Sequence, residues 1–201
     1  MSVLYVLGGA NGVGKTTFYN TILQGKFLET SLPFLNVDLI VKNELGAYTD
    51  ENFMLAGNLY RERVAALFSA GNDFMIESNL AKDADYAWLD AVKRKGYNVA
   101  LFFLGTESVE INISRVKKRV KEGGHDIPVP IIEHRYKMSF IYLKSKITVF
   151  SEVYLIDNST EVPKEVAILK EGELIAKVNN DYNWVNNVLF ITEKLSNKKN
   201  G

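Results

Sequence analysis

The densest chemistry in this chain lies near its N-terminus, in Gly9-Ala10-Asn11-Gly12-Val13-Gly14-Lys15-Thr16. The run satisfies G-x-x-x-x-G-K-[ST], a spacing that wraps backbone N–H groups around phosphate oxygens. Glycines permit the turns that aim successive N–H groups inward. Lys15 brings a point charge to the β- and γ-phosphates, and the Thr16 hydroxyl reaches a Mg²⁺ ion. Gly9 to Thr17 is therefore the expected ATP-binding set, with Thr16 on the metal. Such a match arises by chance in roughly one chain of this size in a hundred. The apolar run Ser2–Leu7 before it reads as a strand. Thr16–Leu23 after it reads as a helix whose N-terminus faces the phosphate.

Two carboxylates fall where apolar runs end. Asp38 follows the short run Pro33–Val37, and Glu77 follows Asn72–Ile76. In a parallel α/β sheet, ligands sit beyond the carboxyl ends of the strands, so both acids belong near the phosphate loop. Asp38 suits a general base that takes a proton from an acceptor hydroxyl. Its plain alternative is a helix N-cap before Leu39-Ile40-Val41. Glu77 suits the Mg²⁺ hydration shell or a contact to the acceptor, with a cap as its alternative. Ser78 and Asn79 beside it are candidate substrate contacts.

A third feature is basic. Arg115 and Arg119 are four apart and share a helix face within Val109–Lys121, which closes on Gly123-Gly124 and the turn to Pro128. Phosphoryl transfer depends on positioning and on cations around the moving group. Residues from about 119 to 135 are therefore read as an arginine-bearing lid, with Arg119 and Arg135 at the phosphates. A solvated basic helix face is the alternative. His125 and His134 lack the spacing of a metal site. Trp88, Trp184 and most other aromatics are expected in the core.

The remaining elements must hold these groups. Helical spacing covers Glu51–Ala70, Asp83–Lys95 and Ile131–Ser145; apolar runs at Tyr97–Leu104 and Glu152–Ile156 read as strands. Alternation of this kind predicts an α/β three-layer sandwich of the P-loop NTPase type, with about five mostly parallel strands. Val166–Leu169 and Glu173–Val178 flank Lys170-Glu171-Gly172 and predict a hairpin. A helix over Tyr182–Leu195 follows, and Ser196–Gly201 reads as a frayed end. The 201 residues, 47% hydrophobic, suit one domain. Zero net charge argues against a nucleic-acid partner, and zero cysteines exclude a disulfide framework. The N-terminus reads as a core strand rather than a signal peptide, and no run is long enough for a membrane span. The expected setting is the cytoplasm.

Together these motifs resemble the zeta-toxin-like P-loop kinases, in particular the branch often labelled predicted ABC-type ATPases. The resemblance rests on Gly8 to Thr17, Asn36-Val37-Asp38-Leu39-Ile40, Glu77-Ser78-Asn79-Leu80-Ala81, Arg115 to Pro128, Arg135-Tyr136 and Asp157-Asn158-Ser159. It runs from about residue 3 to about residue 160. It implies an ATP- and Mg²⁺-dependent kinase acting on a small-molecule hydroxyl, of the kind zeta toxins perform on UDP-N-acetylglucosamine beside a neutralising antitoxin. It further implies Asp38 as base, Glu77 as a substrate-side acid, Lys15 and Thr16 at ATP and Mg²⁺, and Arg119 and Arg135 as lid arginines. The chain departs from the family where arginines are frequent, carrying Asn58, His134 and Met138. Those departures leave ATP binding intact and bear on the acceptor. The rival function class is a regulatory ATP-binding protein that transfers nothing.

Overall fold

In a computed structural model of the protein, residues 1–25, 27–178 and 182–189 are described. Seven strands form one sheet in the order β2-β3-β1-β4-β5-β6-β7. They are β1 Val3–Gly8, β2 Phe34–Leu35, β3 Phe74–Ser78, β4 Asn98–Gly105, β5 Glu152–Asp157, β6 Lys164–Lys170 and β7 Glu173–Lys177. The first five are parallel; β6 joins β5 antiparallel and turns back through Glu171-Gly172 into β7. The predicted hairpin thus extends the main sheet to seven strands.

The helices are α1 Lys15–Phe18, α2 Val37–Ile40, α3 Asp50–Ser69, α4 Asp83–Arg94, α5 Val109–Lys121 and α6 Val129–Lys146. A π-helical turn continues α1 over Tyr19–Leu23, and another continues α2 over Val41–Leu45. Residues 183–189 form a further helix, α7. The predicted helix runs on to Leu195; its part from 190, like the frayed end expected at Ser196–Gly201, lies outside the described residues. No helix among the described residues is long and apolar enough to cross a membrane.

Strand alternation divides the core between the two faces. Leu4, Val6, Phe74, Ile76, Val99, Leu101, Phe103, Val153 and Leu155 face one cluster, with side chains of α3, α4, α6 and α7. Leu7, Met75, Leu104 and Ile156 face a smaller cluster, with Phe18, Tyr19 and Leu23 from α1 and its π turn. The sandwich is therefore asymmetric, thick on one side and thin on the other.

The second strand differs most from expectation. Its run predicts Pro33–Val37, yet only Phe34 and Leu35 pair with β3. Asn36 ends it by capping α2: its Oδ1 accepts the Leu39 N–H at 3.1 Å. An extended Asn at an N-cap diverts the chain into helix one residue before the apolar run stops. The strand predicted over Asn72–Ile76 instead spans Phe74–Ser78, so Glu77 is its penultimate residue. Helix α6 begins at Val129, ahead of the expected Ile131, because Pro130 is tolerated in a first turn.

Candidate active site

The strand order puts the end of β1 between those of β3 and β4, and every sequence-predicted acid lies at that edge. Two side chains from distant elements shape the phosphate loop. Asn112 Nδ2 donates to Asn11 O at 2.8 Å, and Asn158 Nδ2 donates to Val13 O at 2.7 Å. In a trans peptide the C=O and the following N–H point opposite ways. Holding these two carbonyls outward therefore turns the Gly12 and Gly14 N–H groups toward the concave side. Both glycines have positive φ, +77° and +95°. A Cβ at Gly12 would sit 2.3 Å from Asn112 O, and one at Gly14 would sit 2.6 Å from Asn158 Nδ2. Only glycine fits under these two clamps.

Lys15 is buried against this loop. Its ammonium donates to Gly9 O at 2.7 Å, Ala10 O at 3.2 Å and Asn79 Oδ1 at 3.2 Å, and lies 3.6 Å from Glu77 Oε1. Burial pulls its pKa down; the carboxylates of Glu77 and Asp38 pull it back up, and Arg135 pushes it further down. Asp38, Glu77 and Arg135 thus all act on the Lys15 charge. Glu77 also accepts from Thr16 Oγ1 at 3.2 Å and from Asn36 Nδ2 at 2.6 Å. The hydroxyl and the carboxylate form a hard oxygen donor pair beside the phosphate cradle, which suits Mg²⁺. Asp38 is half-buried in the first turn of α2. The cap role open to it in the sequence is filled by Asn36, so its carboxylate is not spent on the helix end.

Asn36 thus ties α2 to Glu77 through one carboxamide. Asn36→Ala is expected to cost about 0.5–2 kcal/mol of stability from the lost cap. Urea unfolding checks this: the midpoint should fall at unchanged slope.

The two arginines expected on a lid part ways: Arg119 lies in α5 and Arg135 in α6. Arg135 Nη1 donates to Asn11 Oδ1 at 2.8 Å, directly on the phosphate loop. Arg119 turns instead onto its own loop, where Nη2 donates to His125 O at 2.9 Å. The segment 122–128 docks elsewhere as well, the His125 ring lying 4.6 Å from Phe53 and 5.5 Å from Tyr48. Arg115, which shares the Arg119 face, donates to Asn158 O at 2.8 Å and Thr160 O at 3.2 Å. Helical spacing identified that face; what it meets depends on the packing of the β5–β6 loop.

Glu77, Ser78, Asn79 and Arg135 line a cavity of about 740 Å³ between α3, α4 and the end of β3. Its walls are mostly apolar, with Tyr60, Val64 and Phe68 from α3 and Trp88 and Leu89 from α4. Trp88 is 37% exposed there and is not the core residue expected of it. Arg61 and His134 also reach this cavity. Arg61 bonds the Asn58 carboxamide. Arg61 thus stands one turn along α3 from Asn58. Burial raises the pKa of Asp85, on the cavity wall, while the Lys82 charge and the polar groups of residues 78–82 oppose the rise. Sequence spacing marked none of Tyr60, Arg61 and Trp88, because i, i+3, i+4 periodicity reports a face and not whether that face is filled.

No protein-family model matches the chain. An uncharacterized protein of Haemophilus influenzae is 40% identical over 63 residues, which span 31% of this chain and 45% of that protein. Among solved structures, a chain of the AvrRxo1-ORF1:-ORF2 complex with ATP superposes with a TM-score of 0.65 at 18% identity, covering 89% of this chain and 61% of that one. A chain of the PezAT chromosomal toxin–antitoxin system of Streptococcus pneumoniae gives 0.59 at 18% identity, covering 98% and 87%. A candidate kinase of Chloroflexus aurantiacus gives 0.51 at 19%, covering 69% and 78%. The chain thus spans under half of the Haemophilus protein and less than two thirds of the AvrRxo1 complex chain. At these identities the likeness is one of fold. The chain shares the α/β fold of these three chains.

Proposed function

We propose that the chain is an ATP- and Mg²⁺-dependent phosphotransferase that acts on a hydroxyl of a small molecule. The observation that carries this reading is a juxtaposition. A phosphate loop with a buried lysine shares Glu77, Asn79 and Arg135 with a mostly apolar cavity. A donor site alone has no need of that second chamber. A regulatory nucleotide switch gives no reason for it.

In this reading Gly9 to Thr17 hold the triphosphate, and Thr16 with Glu77 would hold Mg²⁺. The metal would supply charge neutralisation between the phosphates. Asp38 takes the proton from the acceptor hydroxyl as its oxygen bonds to the γ-phosphorus and the bond to the bridging oxygen breaks. Lys15 and Arg135 offset the charge on the phosphoryl oxygens. Ser78 and Asn79 orient the acceptor, whose apolar body lies against Tyr60, Phe68 and Trp88. Arg119 reaches the phosphates only by releasing His125 O, which makes its role a lid movement. A nucleotide sugar such as UDP-N-acetylglucosamine is one acceptor within this reading. A neutralising partner protein is another element of it, supported by the PezAT likeness of fold. The proposed setting is the cytoplasm.

A screen of metabolites and UDP-sugars with γ-labelled ATP tests the function, with Asp38→Asn as control. A labelled product formed by wild type alone is the expected result. Absence of any labelled acceptor, with ATP bound, would favour the regulatory class. For the toxin element, expression of wild type is expected to arrest growth and expression of Asp38→Asn is not. Harmless wild-type expression would remove that element and leave the kinase standing.

A further inference from the structure

The C-terminal helix α7 lies outside every motif of the site, yet a chain of hydrogen bonds runs from it to the phosphate loop. The Trp184 indole is buried, and its Nε1–H donates to Asp157 Oδ1 at 3.0 Å. Its ring presses on the end of β4 so closely that a Cβ on Gly105 would lie 2.7 Å from it. Asp157, 2% exposed, also accepts from Ser159 Oγ at 2.8 Å and Ser159 N at 3.1 Å. Ser159 Oγ in turn accepts the Glu107 N–H at 2.9 Å. Between them stands Asn158, which donates from its backbone N–H to Gly105 O at 2.8 Å and from its side chain to Val13 O.

From this relay we infer that Trp184 is a positioning residue for nucleotide binding. By sharing Oδ1 of a buried carboxylate with the Ser159 hydroxyl it sets the 157–159 turn, and the turn holds Asn158 on the Val13 carbonyl. That bond aims the Gly14 N–H at the phosphate. Arg115 closes the relay from the other side through Asn158 O, and the Asp157 charge acts on its guanidinium. The inference rests on the nucleotide-binding reading of the phosphate loop.

Calorimetric titration of the full chain with ATP and Mg²⁺ tests it, at a temperature where each variant is folded. Trp184→Phe keeps a ring against Gly105 and removes the donor. ATP binding is expected to weaken about ten-fold, the scale of one unmade hydrogen bond at a buried charged group. Asn158→Ala is expected to weaken it similarly. The double variant should be no worse than the weaker single one, since both cut one relay. A tryptophan with only a packing role would lower the melting temperature and leave ATP affinity unmoved. Ser159→Ala cuts the same turn without touching the core and is expected to weaken ATP binding if Trp184→Phe does not fold. Unchanged affinity in the folded variants, or additive losses in the double variant, overturns the inference alone. A wild type that binds no ATP overturns both this and the reading beneath it.

Discussion

Lys15→Ala is expected to lose ATP binding and phosphoryl transfer together, with turnover down by about 10²–10³-fold. The geometry explains why both fall. The ammonium is buried, held by two loop carbonyls and Asn79, and faced by Glu77 at 3.6 Å. It lies in a low-dielectric recess where a positive charge interacts strongly with phosphate. Its removal also leaves Gly9 O without its side-chain donor and Glu77 without its ion pair. Lys15→Met, which keeps the stem, separates the lost charge from the lost packing. Calorimetry for ATP and a labelled-phosphate assay for transfer give the two readouts. Nucleotide affinity equal to wild type would sink the phosphate-loop assignment.

Asp38→Asn is expected to behave differently. Transfer should fall by about 10²–10⁴-fold while ATP affinity stays within a few-fold, because the residue is assigned to the acceptor's proton and not to the donor. The substitution is nearly isosteric. Asn36 caps α2, so the helix end survives it. Loss of activity therefore cannot be charged to unfolding of the turn, and unchanged melting temperature is part of the expected result. Unchanged turnover would show that Asp38 is not the base and would shift attention to Glu77, the other acid at the same strand edge.

The phosphate-loop motif was the more legible part of the candidate site because its residues are contiguous. Gly9 to Thr16 fold on themselves between one strand and one helix, and short-range spacing states the geometry outright. Asp38 and Glu77 were legible at one remove, through the rule that parallel strands end in ligands. Even there the boundary was blurred: Asn36 and Asp38 are both good caps, and only the fold shows that Asn36 does the capping. The cavity proposed for the acceptor was least legible. Tyr60, Arg61 and Trp88 occupy ordinary helical positions, and their exposure to a cavity depends on the separation of α3 and α4. The clamps on the phosphate loop were hidden for a related reason. Asn112 and Asn158 lie 101 and 145 residues from the carbonyls they hold.

Those separations also bear on how the site comes into being during synthesis. The phosphate-loop strand leaves the ribosome well before its neighbours in the sheet, whose strands begin at Phe74 and Asn98. Pairing so distant in sequence is slow, because the loop between must close first. A nascent chain that stops short of Asn158 carries the complete nucleotide motif but not the clamp on Val13. Truncated chains should therefore display the signature without the affinity, and competence for ATP should arrive late, once the β5–β6 turn has been made.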